Sequence, residues 1–364
     1  MSLLKKLFTG KDEPITNYDD FWKWFIRHEK TFFNVVKNQD DIERKFFEKL
    51  SPKLGELMGG FYYLTGMLDD NTVELILTAD GTIKNLVFVE ELVGKAPAIA
   101  GWKFTAHKPE MSIENTQINM GKYIFNDESL WFYSNDNPKY PDEIDITIIH
   151  REFNENDKSS IVNGVFLFLD NYLGELKSVT TIDRVVVIGK GEATKELVPI
   201  EKLKAFLEWR QKEFVEKYHG LVKDTDDMQH SILEAETESG GRVIALINTD
   251  ILNWENKPSH PWILTIDVPY DGSKNNGLPE EASNKDLWDL ETRIAELLKS
   301  EDGYILIGHA SVAGCRTMYF ACKDFRKPSK VIHQMSVDEP QWKISYDIYK
   351  DKYWTSFNRF NPAK

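Results

Sequence analysis

Trp262-Ile263-Leu264-Thr265-Ile266-Asp267-Val268 alternates so that Trp262, Leu264, Ile266 and Val268 share one face of an extended segment. The elements after this run decide the fold class. Ser283 and Asp286 open an amphipathic helix carrying Leu287, Leu290, Ile294, Leu297 and Leu298. A hairpin comes next, Tyr304–His309 and Arg316–Cys322, turning through Ser311-Val312-Ala313-Gly314. Trp342, Ile344 and Tyr346 mark a last strand. Strands interrupted by a helix and joined by hairpins predict an α+β fold with a mainly antiparallel sheet and helices on one face. A doubly wound parallel sheet would alternate strand and helix more regularly.

Upstream, Tyr18, Phe21, Trp22, Phe25, Phe32, Phe33 and Val36 recur at helical spacing, with Thr16 and Asp19 as a capping box. A second helix carries Ile42, Phe46, Phe47, Leu50 and Leu54 on one side. Phe61–Met67 and Thr72–Ala79 form a hairpin over Asp69-Asp70-Asn71, and Leu86, Val89 and Val93 mark a short helix. Strands are expected at Trp102–Ala106, Ile118–Phe125, Ile144–His150 and Ile182–Ile188, and a helix at Asn163–Leu173. Residues 199–218 read as a connecting helix, followed by the acidic stretch Lys223-Asp224-Thr225-Asp226-Asp227. The expected organisation is a flexible segment 1–15, an N-terminal α+β domain 16–198, a linker 199–227 and a C-terminal domain 228–364.

Across 364 residues the net charge is −14, which repels phosphate backbones and points away from nucleic acid. Such a surface suits a dissolved protein or one that docks onto a basic partner. No apolar run approaches the ~20 residues that span a bilayer, and the start at Met1-Ser2-Leu3-Leu4-Lys5-Lys6 is no signal peptide. With Cys315 and Cys322 as its only cysteines, the chain has no disulfide scaffold, and a cytoplasmic location is expected.

Catalytic templates fail one after another. Gly189-Lys190-Gly191-Glu192-Ala193-Thr194 lacks the third glycine of a dinucleotide fingerprint. Asp271-Gly272-Ser273-Lys274-Asn275-Asn276-Gly277 lacks the glycine and the distal carboxylate of a calcium loop. Gly308–Gly314 has no nucleophile-elbow spacing. His309 and Cys315 could approach each other across their hairpin, with Arg316 beside them. The cysteines lie on opposite faces of a regular strand. No histidine grouping has metal-ligand spacing, although His219 and His230 flank the acidic stretch. No cofactor and no metal are expected. Asp142, Glu143 and Asp145 precede a strand ending in His150, a charge cluster that suits acid–base work or a sheet edge equally well.

Three stretches carry a resemblance: Asp286-Leu287-Trp288-Asp289-Leu290-Glu291, Gly314-Cys315-Arg316-Thr317-Met318-Tyr319-Phe320 and Asp351-Lys352-Tyr353-Trp354-Thr355-Ser356-Phe357. Over residues 228–362 the chain resembles a bacterial family catalogued as a domain of unknown function, number 695. In the ending, Lys352 and Tyr353 stand where that family more often has proline and glutamate. The resemblance implies a ferredoxin-like outline similar to the ribonuclease-E regulator RraB, an acidic inhibitor that works by binding. Leu77-Thr78-Ala79-Asp80-Gly81 and Leu173-Gly174-Glu175 resemble the uncharacterised companion found beside such domains. The expectation is a non-catalytic binding or regulatory protein with a basic protein partner. The rival is a hydrolase or small-molecule enzyme with its site in the cleft between the domains, and an immunity-type protein against a basic toxin is a third idea. The candidate binding residues are Asp142, Asp145, His150, His309, Arg316, Asp351 and Trp354.

Overall fold

The computed structural model describes residues 14–223, 229–238 and 240–361. The expectations for residues 1–13 of the N-terminal segment and for the acidic run 224–227 lie outside these, while Ile15, at the end of that expected segment, is buried and its N–H donates to Glu56 at 2.7 Å. Contacts divide the chain into two units. The first takes the described residues up to Met111 together with Leu173–Leu176, and the second takes Ser112–Tyr172 and the chain from Lys177.

In the first unit α1 (Tyr18–Lys37) starts one residue later than the capping box suggests, because Asn17 accepts the Asp20 N–H. Phe21, Trp24, Phe25 and Phe32 on its inner face are buried. The expected second helix divides into a π-turn, Glu43–Phe47, and α2 (Glu48–Leu57), which contains Pro52. The hairpin β1 (Tyr62–Asp69) and β2 (Thr72–Thr78), α3 (Ile83–Gly94) and β3 (Trp102–Ala106) come after it. β2 pairs antiparallel with β1 but parallel with β3, since α3 carries the chain back across the sheet.

The second unit holds two further sheets and a small hairpin. Ile118–Phe125 is not one strand: β4 (Ile118–Met120) and β5 (Tyr123–Phe125) pair about a turn at Gly121. β6 (Leu130–Ser134), β7 (Asp145–His150), α4 (Lys158–Leu173), α5 (Glu175–Thr181), β8 (Arg184–Gly189), β9 (Val198–Pro199) and α6 (Leu203–Tyr218) come next. Their sheet has the order β8-β7-β6-β9, with β7 and β8 parallel. The helix α6, expected between domains, is grouped with this unit.

The larger sheet contains β10 (His230–Glu236), β11 (Arg242–Asn248), β12 (Trp262–Pro269), β13 (Tyr304–Val312), β14 (Cys315–Cys322) and β15 (Ser345–Lys350). Its order is β10-β11-β13-β14-β12-β15 and every pair is antiparallel. α7 (Glu281–Leu297) crosses from β12 to β13, and α8 (Arg326–Asp338) from β14 to β15. Gly308, at φ +134, marks a bulge where an added Cβ would lie 2.0 Å from the Leu246 carbonyl oxygen; only glycine lets β11 and β13 approach here. One face of the sheet buries Leu264, Ile266, Met318 and Phe320 with Leu287, Leu290 and Ile294 of α7. The other packs Ile247, Ile263, Ile305 and Ile307 against Trp354, Phe357 and Phe360 of the C-terminal segment. Among the described residues no helix is long and apolar enough to cross a membrane.

Candidate functional site

Parallel strands β7 and β8 begin side by side, with Asp145 opposite Arg184. The residues just before them, Asp142, Glu143 and Asp183, therefore gather at one end of the sheet. The end of β15 arrives at the same place. A cleft of about 550 Å³ opens there, lined by Glu143, Asp145, Asp183, Lys350, Asp351 and Lys352 among others.

Asp183 is the hub. Its two oxygens take ammonium groups at 2.7 Å each, Lys350 on Oδ1 and Lys352 on Oδ2. The Ile144 N–H also donates to Oδ2, at 2.6 Å. Lys350 donates further to the Thr181 carbonyl at 3.0 Å, and Lys352 to the Asp142 carbonyl at 2.8 Å. The Lys352 ammonium also lies 4.6 Å from the Phe214 ring centre. Burial pushes Lys350 down to about 8; Asp183 opposes that shift and the neighbouring Lys352 adds to it.

Asp142 forms a second knot. Its carboxylate accepts from Tyr353 (2.6 Å), Tyr218 (2.8 Å) and Lys217 (2.8 Å), and its N–H donates to the Tyr353 hydroxyl at 2.9 Å. Burial raises its carboxyl pKa, but the bonds from Lys217, Tyr353 and Tyr218 outweigh burial and hold it below the usual range. Asp145 accepts from the Asn135 amide at 2.8 Å, and Asp351 caps the next turn by taking the Thr355 and Ser356 N–H groups. Glu143 differs from all of these. No hydrogen bond to its carboxylate exists among the described residues, and burial, then the charge of Asp183, raises its pKa.

The other candidates sit elsewhere. His150 is buried against Phe125, its Nδ1 accepting the Glu152 N–H and its Nε2 facing the Ile124 carbonyl oxygen. That pattern makes it a neutral donor tying β5 to β7, and burial pushes its pKa down. Trp354 adopts φ +55, unusual for so large a side chain, and donates from Nε1 to the His260 carbonyl at 2.9 Å inside the core. His309 and Arg316 share the sheet face under α7. His309 Nδ1 lies 2.7 Å from Glu291 Oε2, while Arg316 donates to Ser311 and Asn284. Cys315 belongs to the opposite face and pairs across the hairpin with Val312, so no Cys/His couple forms. Asp142, Asp145 and Asp351 thus lie near one end of the sheet, His309 and Arg316 share the face under α7 with different partners, and His150 and Trp354 are buried elsewhere.

The sequence reading missed Asp183, Lys350 and Lys352. One signal could have found Lys350: it continues the inward series Tyr346, Ile348 along β15, a position where a solvated lysine has no place.

No curated protein and no solved structure matches the chain. Residues 240–360, which span α7, the β13–β14 hairpin, α8 and the cleft-lining end of β15, match the family model described as Family of unknown function (DUF695).

Proposed function

We propose that the protein is a non-catalytic, cytoplasmic binding or regulatory protein whose cleft receives a basic side chain of a protein partner. The single observation behind this reading is the contrast within the cleft. Lys350, Lys352, Asp145, Asp183 and Asp351 are bonded internally, and among the described residues lining the cleft Glu143 is the carboxylate with no hydrogen bond, the charge of Lys352 offsetting in part the repulsion from Asp183. A half-buried acid with no hydrogen bond to its carboxylate can accept from a guanidinium or ammonium, which would relieve the repulsion from its acidic neighbours. The element order β12–α7–β13–β14–α8–β15, with the spatial order β15-β12-β14-β13, supports reading the matched region as ferredoxin-like with β10 and β11 added at one edge. The likeness to RraB is fold-level analogy and adds only that such an outline can serve binding. The first unit would then be its companion module.

Fluorescence anisotropy with a labelled oligo-arginine peptide tests this, with oligo-glutamate as the control. Glu143→Gln is expected to weaken arginine-peptide binding about tenfold, while Glu234→Gln, which removes the same charge elsewhere, leaves it unchanged. Equal loss in both variants would reduce the binding to the general acidic field and sink the proposal.

A second reading rests on Lys350. An amine at about 8 is partly neutral in mild alkali and can serve as nucleophile or base in an enzyme. Borohydride trapping with simple aldehydes, followed by peptide mapping, separates the two: selective labelling of Lys350 favours the enzyme, and labelling spread over surface lysines favours binding.

A further inference from the structure

The second face of the large sheet is only partly roofed. Trp354, Phe357 and Phe360 cover Ile247, Ile263, Ile305 and Ile307. Phe360 and Asn361 line the groove that follows, over the part of the sheet that continues through β13 and β11 to the edge strand β10. The floor there is built from smaller side chains, Ala245 and Ala310 opposite each other in the ladder. Leu233, Val243, Tyr319 and Phe360 form the walls of the resulting groove, whose volume is about 510 Å³. That is within the size range of small-molecule sites.

One cation stands at the rim. The Arg359 guanidinium lies 4.8 Å from the Phe360 ring centre and 5.6 Å from that of Tyr319, and donates to the Tyr319 hydroxyl at 3.2 Å. This is one of its five N–H donors, and the two rings hold it over the groove mouth. The acid of the lining, Glu234, points to Arg242 at 3.4 Å. The chain as a whole is acidic, but that field is screened beyond about 8–10 Å in ordinary salt, so the local cation decides the sign of the preferred head group.

We propose that this groove binds an amphipathic carboxylate, a free medium-chain alkyl acid, with its chain on the alanine floor and its head group on Arg359. The site is distinct from the charged cleft, and its test is independent of that reading.

Calorimetric titration of the full chain with hexanoate, octanoate and decanoate is expected to show affinity rising about fourfold per added methylene, the value of burying one CH₂. Decanoate should bind at least about tenfold tighter than decyltrimethylammonium, as one charge-assisted contact provides. Arg359→Gln should abolish that preference while keeping the chain-length dependence. Ala235→Leu, on the exposed rim of β10, should lower decanoate affinity. Should that variant fold poorly, alanine-methyl NMR of the unaltered protein gives the same answer, with Ala245 and Ala310 shifting on titration. A flat chain-length series, a preference for the cationic ligand, or shifts away from those alanines would overturn the proposal. So would an apolar peptide C-terminus that binds a hundredfold tighter than decanoate, or a dimer that Ala235→Leu disperses.

Discussion

Glu175 and Asp183, a buried and a half-buried acid on the stretch after α4, are used by the structure in opposite ways. Glu175 is fully buried and is held by neutral donors: the Thr78 hydroxyl at 2.5 Å, the Gly81 N–H at 2.9 Å and the Lys108 N–H at 3.2 Å. Gly174 delivers it at φ +79, where an added Cβ would meet the Glu110 nitrogen at 2.9 Å. The two segments read from sequence as companion-domain marks, 77–81 and 173–175, thus meet at one carboxylate. Asp183 instead faces a cleft and holds two ammonium groups. An acid satisfied by backbone and hydroxyl donors organises loops and leaves nothing for a ligand. An acid that gathers lysines concentrates charge where solvent can reach, and leaves a neighbour, Glu143, short of a partner.

The largest expected effect tests the Asp183 side. Asp183→Asn leaves two lysines buried without a counter-charge, and urea denaturation at pH 7 should show a loss of about 3–5 kcal/mol. A loss under about 1 kcal/mol would mean that the pairs behave like surface ion pairs, and the contrast would collapse. Glu175→Ala strips an acceptor from three donors and should cost about 2–3 kcal/mol.

Lys350 supplies a smaller, pH-dependent effect. Its pKa falls from 10.5 in the free side chain to about 8 when folded. Below pH 8 both states carry the proton and the group contributes no slope. Between 8 and 10.5 the unfolded chain binds a proton that the folded one has released, so this group makes stability rise with pH. The rise should reach about 1 kcal/mol between pH 8 and 9, and Lys350→Met should lack it when urea midpoints are compared at the two values. Parallel curves for the two proteins would place the ammonium in solvent.

Much of the larger sheet is legible in the sequence because alternation writes it directly: Trp262–Val268, the hairpin after Tyr304 and the α7 stripe all fall where periodicity puts them. β10 escapes because an edge strand with Ile232 exposed has no clean alternation. α8 escapes because Pro328 reads as a breaker, although in the first turn of a helix proline costs no hydrogen bond. β6, Leu130–Ser134, is apolar on both faces and too short for a period to show. For the site, sequence offers Asp142, Asp145 and Asp351 as separate charges. Their convergence depends on β7, β8 and β15 ending together, which is tertiary information, and a buried lysine is spelled like a solvated one.

The central claim is that the Glu143 carboxylate is the acceptor of the cleft for a cation. Carboxylate-carbon NMR of the glutamates, with Glu143→Gln for assignment, measures this directly. The account predicts that Glu143 titrates above the ordinary 4.5 in the free protein and moves down when arginine amide is added. A Glu143 that titrates at its ordinary value and ignores arginine amide would contradict it.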